Sequence, residues 1–251
     1  METIRIGGVP IHNVTLDETI EVIDARIRAR RPGFILTPNV DHVCLCQKDP
    51  EFLAAYEAGF LSVADGMPLL WAARLLGAPL KQKISGSDLI YWLSAFAAER
   101  GYSVFFFGAA PGVAEETARR LSERYPGLRV AGVYCPPMGF DKDPERNEEA
   151  MAIIRAAAPD ICLLAIGSPR QERWIFRHHE QTGAIVHVGV GASFDFVAGV
   201  QKRAPVWMQY AGLEWVWRLA HDPVRLAKRY LVDDLAFLPI VWKDWRAARN
   251  G

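Results

Sequence analysis

The sequence predicts an α/β fold, a mainly parallel sheet covered by helices on both faces and followed by a C-terminal helical appendage. Three observations predict it. Short apolar segments alternate with helical ones along most of the chain. The strand-type segments are apolar throughout rather than at every second residue, as strands buried on both faces are. Near residue 195 the composition shifts toward tryptophan and basic side chains. At 251 residues, 51% hydrophobic and 23% charged, the chain is long enough to bury a substantial core.

Taken in order, the strand-type runs are "GFILTPN" (33–39), "FLSVAD" (60–65), "SVFFFGAA" (103–110), "LRVAGVY" (128–134), "ICLLAIGS" (161–168) and "AIVHVGVG" (184–191). The helical segments between them carry start and stop signals. "SGSDLIYWLSAFAAERG" offers Ser87 or Asp88 as N-cap and Gly101 as stop. "PGVAEETARRLSERYPG" opens with Pro111, sets acids early and arginines late, and ends at Pro126-Gly127. "DPERNEEAMAIIRAAAPD" repeats that scheme. Beyond residue 195 lie five of the eight tryptophans, and from Lys202 onward nine basic residues stand against five acidic ones. This tail reads as helices over roughly 205–221 and 223–237, broken at Asp222-Pro223.

Net charge is zero, so the molecule has no global attraction for nucleic acid. Cys44, Cys46, Cys135 and Cys162 form no Cys-x-x-Cys pair and sit in or beside apolar segments, which predicts reduced, mostly buried thiols in a cytosolic protein. The N-terminus has no signal-peptide pattern, and no apolar run reaches the roughly 18 residues that span a bilayer. The expectation is a protein that is soluble or peripheral to a membrane.

In open α/β sheets ligands bind beyond the carboxyl ends of the strands. Here those ends carry Thr37-Pro38-Asn39, Asp65-Gly66, Gly108, "GSPRQE" (167–172) and "GVGASFD" (189–195). Each is also what a helix cap or turn requires, and both readings stay open residue by residue. "GVGASF" lacks the third glycine of a dinucleotide fingerprint, and there is no phosphate-binding P-loop. "GAAPG" after "SVFFF" resembles a strand-to-helix turn that holds an anion. "DKD" (Asp141 to Asp143) matches a metal-binding Asp-x-Asp, but before Pro144 it reads as a turn and cap. His178 and His179 point to different helix faces and make poor joint ligands. No zinc-hydrolase or serine-elbow motif is present, and no metal site is predicted.

These residues, together with "TPNVDHV", "VADGMPLLWAARLLGAPLKQKISGSDL", "FFFGAAPGVAEE", "AIGSPRQE", "VGVGASFDFVAG", "KRAP" and "GLEWVWRLAHDPVRLAKRYL", resemble the WecG/TagA/CpsF family of bacterial glycosyltransferases nearly end to end. The resemblance implies a Rossmann-like catalytic domain over 1–195 and a membrane-associating appendage over 196–251. It implies inverting transfer of a sugar from a UDP-sugar donor to a polyprenyl-diphosphate-linked acceptor, in cell-surface polysaccharide or teichoic-acid synthesis, without a metal or other cofactor. N-acetylmannosamine, its uronic acid and hexoses are all donors among relatives. The family's catalytic aspartate falls on Asp65. Thr37, Asn39, Gln171 and Asp195 match its pocket residues. Lys83 stands where relatives often have arginine, which keeps the charge and loses the bidentate fork. Arg218, Arg225 and Lys228 match basic positions near the membrane, and Arg218, Arg225 and Arg229 follow one another at spacings of seven and four.

The chemistry is consistent with this. A carboxylate must take the acceptor hydroxyl's proton, and the departing UDP needs its charge neutralised. Asp65 is the expected base, kept ionised by turn amides. Lys83, Arg170 and amides after Gly108 or Gly167 are candidates for the leaving group. The tail's tryptophans and arginines suit the inner face of the cytoplasmic membrane. An ordinary dinucleotide enzyme would need the missing fingerprint. The remaining alternative is a catalytically inactive membrane-associated scaffold of a polysaccharide assembly complex. Pairing into a homo-oligomer is left open.

Overall fold

The computed structural model describes residues 1–250, the side chain of Arg225 excepted. The chain opens with an antiparallel hairpin, β1 (Thr3–Ile6) and β2 (Val9–His12), followed by α1 (Leu16–Arg28). Next come β3 (Gly33–Leu36), α2 (Val40–Cys46), α3 (Pro50–Ala58), β4 (Leu61–Ser62), α4 (Met67–Leu75) and α5 (Gly86–Arg100). β5 (Ser103–Gly108), α6 (Val113–Arg124), β6 (Arg129–Tyr134), α7 (Pro144–Ala157), β7 (Ile161–Ala165), α8 (Arg170–His178), β8 (Val186–Gly189) and α9 (Ser193–Ala198) complete the body. The tail holds α10 (Val206–Tyr210), α11 (Glu214–His221), α12 (Pro223–Lys228) and α13 (Phe237–Asn250). The predicted α/β class holds: β3 to β8 form one parallel six-stranded sheet in the order β4-β3-β8-β7-β5-β6.

Continuous apolar strands arise because each face of the sheet has its own cover. Phe105, Phe107, Cys162 and Leu164 point into one core with the hairpin, α2, α3, α7 and α8. Val104, Phe106, Ile161 and Leu163 point into the other, with α1, α5, α6 and α9. Phe107 stacks on Trp174 of α8 at 5.1 Å, and Phe106 meets Phe194 of α9 at 5.7 Å. Cys44, Cys46 and Cys162 are buried, Cys135 is half-buried, and all four are free.

Several local expectations are corrected. The hairpin lies in a segment read only for targeting signals; Gly7 and Gly8, both at positive φ, supply its two-residue turn. β4 keeps only two of the six residues expected of it, because the chain turns away to let the Asp65 amide donate to the Pro38 carbonyl at 2.8 Å. α5 is capped by Ser85, not Ser87 or Asp88; the Ser85 hydroxyl accepts from the Asp88 amide at 3.2 Å. α6 begins after Gly112, which leaves Pro111 outside it. In the tail, the first helix is interrupted at Gly212, whose positive φ and approach to the Trp71 ring (2.6 Å from a built Cβ) require glycine. After α12 the chain passes through π and 3₁₀ turns before α13, which runs well past residue 237. Phe237 and Val241 of α13 are buried in the same core as the hairpin, and the Gly7 amide donates to Asp244 at 2.6 Å.

Candidate functional site

Four neighbouring strands, β4, β3, β8 and β7, deliver their polar carboxyl ends to one edge of the sheet, and the tail folds over that edge. Two open cavities of about 500 and 520 Å³ result. The first lies toward the tail, among Met67, Pro68, Trp215, Leu231, Phe237 and Leu238. The second lies over the sheet edge and is lined by Thr37, Gly167, Ser168, Gln171, Gly189 and Gly191. They share a wall made of Asn39, Asp65, Ser87, Arg218 and Arg229.

Asp65 therefore faces both spaces. It follows β4, anchored through its own amide, and Gly66 at φ +110° starts α4 behind it. Among the described residues its carboxylate makes no hydrogen bond and no ion pair within 4 Å. The turn amides expected to keep it ionised are thus absent, and the balance runs the other way. Burial, with Glu214 and Asp88 adding to it, pushes the carboxyl up to about 6 against the pull of Arg218 and Lys83. A carboxylate with that pKa and no internal partner is a competent proton acceptor near neutral pH.

Cations ring the shared wall. Lys83 is largely covered and stands 3.8 Å from Asp88, which also pairs with Arg203 at 2.6 Å. Arg203 approaches the Ser85 hydroxyl at 3.2 Å and Glu214 at 3.9 Å. Arg218 lies 3.7 Å from Glu214 and 5.5 Å over the Phe196 ring. Arg229 reaches Asp41 at 3.3 Å and Asn39 Oδ1 at 3.4 Å. Arg218 and Arg229, read from the sequence as membrane-contacting, line both cavities. The acids Glu214 and Asp41 and the Phe196 ring hold them inward.

The other sequence-predicted residues separate cleanly. Thr37, Asn39, Lys83 and Gln171 line one or both cavities. Asn39 caps α2 through the His42 amide at 3.1 Å. Gln171 is buried and spans two neighbours, donating to Glu172 at 2.7 Å and accepting from the Gly191 amide at 3.2 Å. It thereby props the glycine turn after β8, where a Cβ on Gly189 would lie 2.8 Å from the Gln171 amide nitrogen. Gly108 ends β5, beyond β7, and lines neither cavity. Arg170 turns back onto the Ile166 carbonyl at 2.6 Å and lies 3.8 Å from Asp141. Asp195, in the first turn of α9, is not among the lining residues of either cavity. Lys228 is exposed, and the Arg225 side chain lies outside what the structure describes. In the Asp-Lys-Asp segment, Asp143 caps α7, as the sequence suggested. Among the described residues no three His, Cys, Asp or Glu side chains are grouped as metal ligands.

Sequence reasoning missed Asp41, His42, Ser168, Arg203, Glu214 and Tyr230, all of them at or beside the shared wall. Their only signal was position inside the quoted blocks: Arg203 stands in "KRAP" and Glu214 in "GLEWVW".

Comparison with known proteins adds an independent line. Residues 4–251 match the family model described as "Glycosyl transferase WecG/TagA/CpsF family". A protein of Bacillus spizizenii strain W23 is 34% identical over 193 residues, 77% of this chain and 73% of that protein. One of Bacillus subtilis strain 168 is 30% identical over 226 residues, 90% of this chain and 86% of its own. One of Staphylococcus aureus strain MW2 is 30% identical over 227 residues, 90% and 87% respectively. All three are named N-acetylglucosaminyldiphosphoundecaprenol N-acetyl-beta-D-mannosaminyltransferase.

Proposed function

Because the chain belongs to the WecG/TagA/CpsF family of glycosyltransferases, we propose that it transfers a sugar, N-acetylmannosamine being the best supported, from UDP to a polyprenyl-diphosphate-linked N-acetylglucosamine. One observation carries this reading above the others. Asp65, its carboxylate unengaged, stands on the wall common to two cavities, as a base between a donor and an acceptor must.

The glycine-lined cavity suits the UDP-sugar: Gly167 and Gly191 leave room for close backbone approach, and the N-terminus of α5 faces it through Gly86 and Ser87. The other cavity suits the acceptor. It shares Pro68, Phe237 and Leu238 with a groove of about 690 Å³ whose other lining residues are Trp71, Ala72, Leu75, Pro239, Val241 and Trp242. An isoprenoid chain fits such a groove, and a diphosphate fits the cations at its polar end. No helix among the described residues is long and apolar enough to cross a membrane. The proposed location is the inner face of the cell membrane, where a lipid-linked acceptor would be met.

In the reaction, the acceptor hydroxyl oxygen attacks the anomeric carbon from the face opposite UDP. The new carbon–oxygen bond forms as the bond to the UDP oxygen breaks, and the hydroxyl proton passes to Asp65. The configuration inverts. Lys83, Arg218 and Arg229 supply positive charge for the diphosphates, so the proposed reaction needs no metal. The test is a donor screen with a short-chain polyprenyl-diphosphate N-acetylglucosamine, with UDP release measured in the presence and absence of a chelator. Asp65→Asn should lower turnover about 10³-fold and leave UDP affinity within about twofold. Equal loss of both would assign Asp65 a structural role.

A further inference from the structure

Behind the second cavity runs a line of three polar side chains that the transfer step does not use. His42 Nδ1 stands 2.6 Å from the Tyr56 hydroxyl, and its Nε2 stands 2.8 Å from Ser168 Oγ. Tyr56 and His42 are buried, whereas Ser168 is exposed and lines the cavity. They come from α3, α2 and the turn between β7 and α8, brought together only by the fold. Phe52 packs edge-on against the imidazole at 5.6 Å and closes its apolar side.

The positions of the protons follow from counting. Burial, aided by Arg229, pushes the His42 ring down to about 3, so it is neutral and carries one proton for two partners. The Tyr56 hydroxyl has no other hydrogen-bond partner among the described residues, and a buried hydroxyl proton without an acceptor forfeits its solvation. Tyr56 therefore donates to Nδ1, the ring proton resides on Nε2, and Nε2 donates to Ser168 Oγ. The Ser168 proton is left over. Inside the protein it faces Glu172, a buried carboxyl whose pKa burial raises and the hydrogen bonds of Gln171 and Ser168 draw back down. On the open side it faces the cavity.

We propose that Tyr56 and His42 are positioning residues that fix the Ser168 hydroxyl as a hydrogen-bond donor to an oxygen of the UDP-sugar. The inference rests on the donor assignment above. A serine free to rotate would spend part of its time as an acceptor. Held from behind by a ring N–H, it acts only as a donor, toward Glu172 while the cavity is empty and toward an anionic or carbonyl oxygen of the ligand that takes over that proton.

Donor binding by calorimetry and the ring tautomer by ¹⁵N NMR test this together. Ser168→Ala should weaken UDP-sugar binding about tenfold with turnover at saturation little changed, and Ser168→Thr should restore most of the affinity. Tyr56→Phe should weaken binding about threefold in the unaltered chain and not at all further in the Ser168→Ala background. Melting curves confirm that each variant is folded. The unaltered chain without ligand should show His42 protonated at Nε2. An Nδ1-protonated ring, additive losses, or unchanged binding in Ser168→Ala would each overturn the proposal. An unaltered chain that binds no UDP-sugar would instead overturn the donor assignment, while the tautomer still reads the Tyr56–His42 arrangement by itself.

Discussion

At Asp65, burial and two acids raise the pKa while two cations lower it, and with Asp65 as the proposed base the balance near 6 should set how the reaction responds to pH. Only the ionised carboxylate accepts a proton, so kcat/KM for transfer should rise about tenfold per unit below pH 6 and level off above about pH 7. A profile flat from pH 5 to 8 would remove Asp65 as the base. The same shift affects stability. The folded-state pKa lies above the ordinary value of 3.8, so the native protein holds this proton more tightly than the unfolded chain does. That contribution is present below about pH 4 and is lost as pH rises through about 6. Asp65→Asn should therefore unfold at higher denaturant concentration at pH 8, by about 1–2 kcal/mol, with the gain shrinking toward pH 4. An inactive variant more stable than its parent is the signature of an acid retained for chemistry.

Helix ends are where the elements meet the site. Ser85 caps α5, bonds Asp88 Oδ2 at 2.6 Å and meets Arg203, so one hydroxyl ties a helix start to the tail. Ser85→Ala should cost about 1 kcal/mol in thermal or chemical unfolding. The sequence placed this cap two or three residues late, because "SGSD" offers three residues able to cap. The choice fell to a partner 118 positions away. Strand ends were easier to read, since a polar residue closing an apolar run needs no distant partner. α2 shows the opposite limit. Its N-terminus bears Asn39 and Asp41, and Arg229 from beyond α12 closes on both. Nothing in the spacing of residues 218, 225 and 229 tells an inward guanidinium from a solvated one. Arg229→Ala should lower transfer to the lipid-linked acceptor at least about tenfold, more than it weakens UDP binding, in paired kinetic and titration measurements.

Across the whole molecule, the tail does two things at once. α13 buries Phe237 and Val241 in the body's core and presents Leu238 and Trp242, more than half exposed, beside the similarly exposed Trp71 and Leu75 of α4. This exposed strip continues from the cavity proposed for the acceptor, and on that proposal it is the surface expected to meet a bilayer. Flotation with anionic liposomes should recover the intact chain, and Leu238→Gln with Trp242→Gln should shift most of it to the soluble fraction. Equal recovery of both would take this face out of the account.

The sequence by itself determined the α/β class, the parallel sheet and the strand ends that carry Thr37, Asn39, Asp65 and Gln171, because hydrophobic period and turn chemistry are local properties of the chain. The family too was legible, since its blocks are short and ordered. Tertiary structure alone decided which charges face inward, that Gly108 and Arg170 stand apart from the cavities, and that Tyr56, His42 and Ser168 form one line. Those outcomes depend on strand order and on the path of the tail. Both bring together residues more than a hundred positions apart, and no local pattern encodes such a meeting.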